Sequence, residues 1–374
     1  MTDVAVVAQD PRFGRGALAQ LEAFWRGAGG LGRHPNLLYL RRRSVAGFDL
    51  TGSALDLPGL PGPLSAVDAL HQTVDAQRLV PHIRPARSVW VVSTIASYGY
   101  PAARSGRPYA CWIATALEDE HDARRGGLPP ARRLALTVNA PVLRRLERTV
   151  LRGAAHVYAI TPETRDRLAA VAGLDVGAVG VLPIPVDFTR FSPLPDDIWL
   201  AGLATPTLVF VGAASDPRKN VGLLLDAFAL LRDRVPMARL RLVGLPPAGT
   251  LPAGVEATGP VSSVAAHVRD AALFVLPSLQ EGFGIVAAEA LACGVPVLTT
   301  PSGGPEHLVR TSAGGVVLQG FDPGEFAETA ARLLESTGTL AQMRAAGRNY
   351  VVREHSSERF QALLADAFRD LDGN

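Results

Sequence analysis

The sequence predicts an α/β protein built from two doubly wound parallel sheets, and three observations support this fold class. Short apolar runs alternate with longer amphipathic stretches along the chain, which is typical of a parallel sheet covered by helices on both faces. The alternation starts again near the midpoint, at TLVFVG (207–212). The length of 374 residues suits two domains of ordinary size. We therefore expect two such domains that face one cleft.

In the first half, six apolar runs have the length and composition of buried strands. They are DVAVVA (3–8), PNLLYL (35–40), SVWVVST (88–94), YACWIA (109–114), HVYAIT (156–161) and GAVGVLPI (177–184). Segments 15–27 and 141–152, which lie between these runs, have apolar residues at helical spacing. The first half is therefore predicted to form one parallel sheet with its covering helices.

In the second half, TLVFVG is followed by three further apolar runs, LRLVGL (240–245), LFVLPS (273–278) and VPVLTT (295–300). A loop rich in Gly, Pro or Ser follows each run, at the position where α/β sheets place their ligand sites. The stretch 185–206 contains four prolines and no clear period, which predicts a linker. Segment 356–370 begins with a serine N-cap and carries an apolar stripe, which predicts a closing helix.

These signals divide the chain into three parts. Residues 1–190 are predicted to form an N-terminal domain, and residues 191–355 a C-terminal domain. Residues 356–374 are predicted to form a helix that packs back toward the N-terminal domain.

The composition is that of a folded protein with no general affinity for nucleic acid. Apolar residues make up 48% and charged residues 19% of the chain, so a large core is expected. The net charge of +2 gives no reason to expect a nucleic-acid partner. No apolar run approaches the roughly 20 residues that cross a bilayer, and the start MTDVAVVAQD lacks a signal-peptide core. We therefore expect a cytoplasmic protein whose two cysteines are reduced.

The strongest local signal lies in residues 278–300, SLQEGFGIVAAEALACGVPVLTT. A strand is predicted to end before the EGFG loop, and a helix is predicted to start near Ile285. Glycines let the backbone approach a ligand, and the N–H groups of a helix start favour an anion. We therefore predict that the amides of Gly284, Ile285 and Val286 face a phosphate.

Two glutamates and two cations surround this predicted phosphate site. Glu289 lies about one turn inside the helix, where its carboxylate can accept hydrogen bonds from the hydroxyls of a ribose. Glu281 precedes the helix and can point toward the other end of the ligand. Arg218 and Lys219 stand in a loop after a strand, and Lys219 is the only lysine in the chain. A compact ammonium group suits a phosphate, although a solvated turn is the alternative interpretation of these two cations.

These residues resemble a known family. Glu281 and Glu289, separated by seven residues in EGFGIVAAEA, look like the E-x7-E signature of family 4 glycosyltransferases. The following CGVPVLTT with Gly303-Gly304, and the segment FVGAASDPRKNVGLLLDAF (210–228), are similar to that family's layout and stand in the same order. The similarity covers about 205–320 and, more loosely, 1–30 and 154–195. It implies a retaining enzyme with the GT-B fold, in which two Rossmann-like domains face a central cleft. The domain 1–190 would bind the acceptor and the domain 191–355 the donor.

The resemblance also implies a role for each motif residue. Arg218 and Lys219 would contact the two phosphates of a nucleotide-sugar donor, Glu289 its ribose, and Glu281 a hydroxyl of its sugar. The loop around Val261 would offer backbone contacts to the base. The cations and the helix-start amides stabilise the leaving diphosphate, so neither a metal nor a cofactor is expected. The predicted donor set is Gly14, Gly16, Arg218, Lys219, Val261, Glu281, Phe283, Gly284, Ile285, Val286 and Glu289, with Glu281, Lys219 and Arg218 as catalytic residues.

The N-terminal half gives weaker signals for the acceptor side. The family has a glycine-containing loop near the donor phosphate, and Gly14 and Gly16 would form it here, unless they belong to an ordinary strand-to-helix turn. Many members carry a histidine just after the strand that corresponds to YACWIA. This chain has Thr115 near that point and His121 several residues beyond. The role falls to one of these two, to a backbone carbonyl or to nothing, and we assign no catalytic base.

Two charged segments have a functional interpretation that we do not favour. The acidic run Glu118–Asp122 could be mistaken for a metal site, but a solvated loop or helix start is the favoured interpretation. The arginines within 132–152 could form a basic face that lies on an anionic membrane, as in some members of the family. Because few apolar residues accompany them, a solvated helix face is favoured.

The sequence therefore predicts a retaining transferase that moves a sugar from a nucleoside diphosphate, with UDP favoured over GDP, to a hydroxyl of a small-molecule or lipid-linked acceptor. Two alternatives stay open. A nucleotide-sugar 2-epimerase of the same fold would use similar phosphate and ribose contacts but would need a water-activating acid. A non-catalytic nucleotide-sugar-binding protein would keep the donor contacts alone.

Overall fold

The structure is a computed structural model that describes residues 3–10, 15–41, 54–58, 72–73, 75–125 and 130–373. The chain divides into two compact units. Unit 1 comprises Met1–Pro185 and Ser357–Asn374, and unit 2 comprises Val186–Ser356. The main division therefore falls at 185/186, where the sequence predicted 190/191, and the chain returns to unit 1 at 356/357.

Unit 1 contains a parallel sheet of seven strands in the order β3-β2-β1-β4-β5-β6-β7. Because β1 lies between β2 and β4, the strand order reverses beside β1. The strands are β1 (Val4–Val7), β2 (Pro35–Arg41), β3 (Ala54–Pro58), β4 (Ser88–Ser93), β5 (Ala110–Ile113), β6 (His156–Ala159) and β7 (Val179–Val181).

Helices connect these strands, as the alternation of apolar runs predicted. They are α1 (Arg15–Gly30), α2 (Val80–Ile83), α3 (Tyr100–Ser105), α4 (Leu117–Arg125), α5 (Pro130–Gly153), α6 (Pro162–Ala172) and the C-terminal α14 (Ser357–Asp372). Helix α5 is longer than the predicted segment 141–152 and carries Pro141 in its interior. Thr161 caps the start of α6, where its side chain accepts a hydrogen bond from the Thr164 amide.

Helix α14 completes the core of unit 1. Its buried side chains include Phe360 and Phe368. The Phe368 ring lies 5.1 Å from the Trp90 ring and 6.0 Å from the Phe24 ring, and the Phe360 ring lies 5.2 Å from the Trp112 ring. The C-terminal helix therefore supplies aromatic side chains that the sheet of unit 1 needs for its packing.

We expect the change Phe368→Ala to lower the free energy of unfolding by about 3–5 kcal/mol, because it removes a buried ring and leaves a cavity. Denaturant titration followed by tryptophan fluorescence measures this loss. Arg369→Ala is the matched control, since the neighbouring Arg369 side chain is 75% exposed and should change stability by less than about 0.5 kcal/mol. Equal effects of the two changes would show that α14 does not contribute to the core of unit 1.

Unit 2 contains a parallel sheet of six strands in the order β10-β9-β8-β11-β12-β13. The order reverses beside β8, which lies between β9 and β11. The strands are β8 (Thr207–Val211), β9 (Arg239–Val243), β10 (Val255–Gly259), β11 (Leu273–Leu276), β12 (Val297–Thr299) and β13 (Gly315–Val317). The helices are α7 (Asp196–Gly202), α8 (Val221–Arg234), α9 (Val264–Val268), α10 (Ile285–Ala292), α11 (Gly304–Ser312), α12 (Pro323–Glu335) and α13 (Thr337–Glu354).

The predicted linker 185–206 was wrong in part, because it contains α7. Trp199 of this helix is 1% exposed, and its indole N–H donates to the Ala271 carbonyl at 2.8 Å. The Arg344 guanidinium lies 4.7 Å from the Trp199 ring and binds the Asp196 carboxylate at 2.9 Å. These contacts join residues far apart in sequence, which is why the local pattern did not reveal the helix.

The two-sheet α/β class predicted from the sequence is confirmed by these sheets. Both cysteines are free and buried. Burial raises the pKa of the Cys293 thiol to about 12 and that of the Cys111 thiol further still, so neither is a reactive thiolate at neutral pH. In the ranges that the structure describes, no helix combines the length and the apolar character needed to span a bilayer.

Candidate functional site

Four loops meet at the carboxyl edge of the sheet of unit 2, on both sides of the point where the strand order reverses. Short backbone hydrogen bonds join them. The Gly212 amide donates to the Val243 carbonyl at 2.9 Å, and the Leu279 amide donates to the Arg218 carbonyl at 2.8 Å. The loop after β11 is thereby held against the loop after β8. Open α/β sheets bind ligands at this position.

Lys219 and Glu281 form an ion pair at the centre of these loops. The Lys219 ammonium group donates to Glu281 Oε1, and the Ser278 hydroxyl donates to the same oxygen at 2.8 Å. The side chains of Lys219 and Glu281 are only 16% and 14% exposed. Two residues that are 62 positions apart in sequence are thus placed in contact, although the sequence predicted separate roles for them.

Arg218 lies beside this pair but turns toward a different carboxylate. Its guanidinium group binds Asp216 Oδ2 at 2.8 Å, and the Asp216 side chain also accepts a hydrogen bond from the Arg218 amide at 3.0 Å. Asp216 caps the short 3-10 turn Pro217–Lys219 in this way. An anion at the site would have to compete with Asp216 for the Arg218 side chain.

Helix α10 begins at Ile285, as predicted, and its first amides point into the same edge of the sheet. Its N-cap is Gly284, which offers no side chain to these amides and has φ of 71°. Within the described ranges, no group accepts a hydrogen bond from the amides of Gly284, Ile285 and Val286. Free N–H groups at a helix start bind anions.

The EGFG loop is held by the glycine turn that follows β12. The Glu281 amide donates to the Ser302 carbonyl at 2.8 Å, and Glu281 forms a bridge with Gly303. A Cβ on Gly304 would lie 2.1 Å from the Gly282 carbonyl oxygen, so only glycine allows this approach. The two segments of the predicted motif therefore support each other directly.

The other predicted donor residues of unit 2 lie around this centre. Glu289 is half-buried on α10, and its carbonyl accepts a hydrogen bond from the Cys293 amide. Val261 follows β10 at the same edge of the sheet and is half-buried. Phe283 is different, because its ring is 5% exposed and lies 4.9 Å from the His355 ring. Its side chain supports the loop from inside the unit rather than facing solvent.

The predicted acceptor-side residues lie in unit 1. Thr115 follows β5 and is buried, and its amide donates to the Thr94 carbonyl at 2.8 Å. His121 lies inside α4 and is half-buried. Gly16 is the second residue of α1, so the predicted loop position was wrong for it. Gly14 lies outside the described residues.

Helix α4 contains the acidic run Glu118–Asp122, so the favoured interpretation of a helix start is confirmed. Glu118 pairs with Arg144 at 3.0 Å and Asp119 with Arg167 at 2.6 Å. In the described part of the chain, no cluster of His, Cys, Asp or Glu is arranged to hold a metal.

Two arginines of α5 bind the end of a neighbouring helix. Arg148 donates to the Val171 carbonyl at 3.2 Å, and Arg152 donates to the Ala172 carbonyl at 2.6 Å. Both bonds satisfy carbonyls at the end of α6. These two arginines therefore help to hold α6 against α5, and the solvated helix face favoured from the sequence stays a prediction.

Sequence reasoning missed Ser278 and Asp216, the residues that hold Glu281 and Arg218. Both stand within a few positions of a predicted site residue, in loops after strands. That position is the only signal the sequence offers for them, since their partners are known only once the loops are folded together.

The chain is similar to known glycosyltransferases. The family model described as "Glycosyl transferases group 1" matches residues 205–336. The chain is 31% identical over 261 residues to a GDP-mannose-dependent alpha-(1-6)-phosphatidylinositol monomannoside mannosyltransferase of Mycolicibacterium smegmatis, covering 62% of this chain and 67% of that protein. It is 30% identical to D-inositol 3-phosphate glycosyltransferase 1 of Catenulispora acidiphila, over 59% of this chain and 58% of that protein.

Solved structures show the same fold at lower identity. Sucrose-phosphate synthase from Thermosynechococcus elongatus has a TM-score of 0.78 at 18% identity, and 99% of both chains is covered. Anabaena Alr3699/HepE in complex with UDP has a TM-score of 0.75 at 18% identity, covering 99% of this chain and 100% of that one. The architecture is therefore that of the GT-B glycosyltransferases.

The chain belongs to the group 1 glycosyltransferases, and the family predicted from its motifs is confirmed. Its alignments with several of the curated relatives span little more than half of their length, for example 58% and 52%.

Proposed function

We propose that this protein is a retaining glycosyltransferase that transfers a sugar from a nucleoside diphosphate donor to a hydroxyl group, without a metal ion. The observation that carries the proposal is the Lys219–Glu281 ion pair, which lies at the carboxyl edge of the unit 2 sheet with the uncapped start of α10. Cations and helix-start amides recognise a diphosphate. A carboxylate beside them recognises a sugar hydroxyl.

The residues then divide the donor between them. Lys219 and Arg218 bind the diphosphate, together with the first amides of α10. Glu289 accepts hydrogen bonds from the ribose, Glu281 holds a hydroxyl of the sugar, and the loop at Val261 contacts the base. For the donor to bind, Lys219 has to exchange Glu281 for a phosphate oxygen. This exchange frees Glu281 Oε1 for the sugar while Ser278 keeps the carboxylate in place.

The chemical step breaks the bond between the anomeric carbon and the terminal phosphate oxygen, whose electron pair stays on the diphosphate. The acceptor hydroxyl oxygen forms the new bond to that carbon on the same face, and its proton passes to the departing phosphate oxygen. Negative charge grows on the diphosphate during this step, so fixed cations and amides stabilise the transition state more than the ground state.

We propose UDP as the nucleotide of the donor, with GDP as the alternative. UDP is the nucleotide bound to Anabaena HepE, whereas the Mycolicibacterium relative is named for GDP-mannose. Thermal unfolding with UDP, GDP, TDP and ADP distinguishes them, because a ligand that binds the native state raises the melting temperature. We expect one diphosphate to stabilise the protein clearly. No shift with any of the four would contradict the donor site.

The single lysine permits a direct test of where the nucleotide binds. Reductive methylation with 13C-formaldehyde labels Lys219 and the chain's α-amino group, and NMR resolves the two methyl signals because the ε- and α-amino groups are chemically different. We expect the stabilising diphosphate to shift the Lys219 methyl signal and leave the α-amino signal in place. A binding nucleotide that leaves the Lys219 signal unchanged would place the diphosphate elsewhere.

Activity assays separate the transferase from its two alternatives. A transferase releases nucleoside diphosphate from UDP-glucose or GDP-mannose faster when D-inositol 3-phosphate or another hydroxyl acceptor is added. A 2-epimerase interconverts the sugar without an acceptor. A nucleotide-sugar sensor binds the donor and catalyses neither reaction, and Glu281→Ala would then leave its biological output intact.

A further inference from the structure

Glu147 is a buried carboxylate in unit 1 to which no role has been assigned so far. It lies on α5 with no exposed surface, next to an apolar cluster of Ile95, Leu117, Leu143 and Leu146. Burying a carboxylate is costly, whereas an apolar side chain of similar size would pack here without that cost. The buried position of Glu147 therefore indicates that its carboxylate has a function beyond packing.

The carboxylate makes one hydrogen bond, to the start of α4. Glu147 Oε1 accepts from the Leu117 amide at 2.9 Å, and Leu117 is the first residue of that helix. Its other oxygen, Oε2, has no partner in the described part of the chain. The amides of a helix's first turn need partners from outside the helix. Glu147 supplies one from 30 positions away in sequence.

The segment that Glu147 holds is Ala114–Leu117, which links β5 to α4 at the carboxyl edge of the sheet. Three further bonds fix it. The amides of Ala114 and Thr115 donate to the carbonyls of Ser93 and Thr94 at 3.2 and 2.8 Å, and the Ala114 carbonyl accepts from the Thr164 hydroxyl at 3.3 Å. The segment is thus anchored by the end of β4 and the residue after it, by α6 and by α5. Loops that are held this firmly place functional groups accurately.

The inference that follows rests on the proposed function. We propose that Glu147 is a positioning residue for the transfer reaction, because its carboxylate fixes the start of α4 and so holds Thr115 and His121 where the acceptor hydroxyl is engaged. Glu147 itself is buried and touches neither substrate. Its removal should therefore impair the reaction and leave nucleotide binding, which uses residues of unit 2, unchanged.

The surroundings of Glu147 make its ionisation sensitive to pH near neutrality. Burial raises the pKa of this carboxyl to about 7, the hydrogen bond from the Leu117 amide lowers it, Glu118 and Asp119 of α4 raise it, and Arg148 lowers it. Between about pH 4.5 and 7, the Glu147 carboxyl is protonated in the folded protein but ionised in the unfolded chain. Glu147 therefore contributes stability to the fold that is fully present at low pH. That contribution is lost as the pH rises from about 4.5 through 7. In Glu147→Gln, the free energy of unfolding should fall less over this range.

The test uses the full-length protein and three variants. Glu147→Gln keeps the volume and an acceptor oxygen but cannot ionise, Glu147→Ala removes both, and Arg145→Gln changes an exposed neighbour on the same helix as a control. We measure the melting-temperature shift with UDP and GDP, and hydrogen exchange of peptides from 114–122 at matched pH. We also measure nucleoside diphosphate release from UDP-glucose and GDP-mannose, with water and with D-inositol 3-phosphate.

We expect Glu147→Ala to raise the rate of hydrogen exchange in 114–122. It should also lower the release rate about tenfold, the effect of leaving a buried amide without its hydrogen-bond partner. The nucleotide-induced shift should stay that of the wild type. The release rate of Glu147→Gln should lie between the rates of Glu147→Ala and the wild type. The wild-type rate should change near pH 7 as Glu147 ionises, whereas the rate of Glu147→Gln should not. Arg145→Gln should match the wild type throughout.

Two outcomes would overturn the inference while leaving the proposed function intact. In one, hydrogen exchange rises but the release rate and its pH profile stay those of the wild type, so Glu147 only stabilises the fold. In the other, the nucleotide-induced shift is lost together with the rate, so the effect is not confined to the acceptor side. A wild-type protein that neither binds nor cleaves a sugar nucleotide would instead contradict the proposed function, and the inference with it.

Discussion

Lys219→Ala is expected to weaken binding of the stabilising nucleoside diphosphate by about 10- to 100-fold, the effect of losing a hydrogen bond to a charged group. The Lys219 ammonium group is 16% exposed and pairs with Glu281 before any donor is present. Its loss removes a phosphate contact and leaves a half-buried carboxylate whose remaining partner is Ser278. Isothermal titration with the nucleotide identified by thermal unfolding measures the change.

Lys219→Ala should lower kcat by a larger factor than it weakens nucleotide binding. The charge on the diphosphate grows in the transition state, so loss of a fixed cation should lower kcat by about 10²- to 10³-fold, as loss of an oxyanion-stabilising donor does. Lys219→Arg is the matched control. It keeps the charge but spreads it over a planar group that fits the pocket less well, and it should retain part of the activity.

Arg218→Ala should weaken nucleotide binding less than Lys219→Ala does. Arg218 is bound to Asp216, and its release from that partner offsets part of its attraction for phosphate. If Lys219→Ala bound the nucleotide as tightly as the wild type while remaining folded, the donor site would not be at the Lys219–Glu281 pair.

Much of the candidate site could be predicted because it lies in contiguous segments. The EGFG loop and the start of α10 are neighbours in sequence, so their chemistry can be recognised without knowing the fold. The contact between Lys219 and Glu281 is different, since it spans 62 positions. The sequence predicted that both residues belong to one site, because parallel strands bring their carboxyl ends to one edge of a sheet, but it did not predict their direct contact.

The elements that were missed share a physical cause. The edge strand β10 (Val255–Gly259) is only partly buried, and β13 has three residues, so neither gives the continuous apolar run of a central strand. Helix α7 is fixed by the stacking of Arg344 on Trp199. Glu147 was not singled out, because it is one of many charged residues in its helix. Its burial depends on how α4 and α5 pack, which no local pattern states.

A second large effect is expected for Gly284→Ala. Gly284 has φ of 71°, and a Cβ on it would lie 2.3 Å from Pro305 Cγ. The left-handed conformation costs an alanine about 1–2 kcal/mol, and the steric overlap about 1–3 kcal/mol more. Unfolding free energy should fall by about 2–5 kcal/mol in total. Gly338→Ala is the control, because a Cβ there meets nothing within 4 Å.

A double variant separates the steric cost of Gly284→Ala from its backbone cost. It also tests whether the amides at the start of α10 bind the phosphates. In Gly284→Ala/Pro305→Ala the steric overlap is removed, while the left-handed backbone stays unfavourable for alanine. Stability should recover in part. Diphosphate binding should not recover fully, because the amides at 284–286 point at the ligand only when residue 284 keeps its positive φ. Full recovery of binding in the double variant would mean that the helix-start amides do not hold the phosphates.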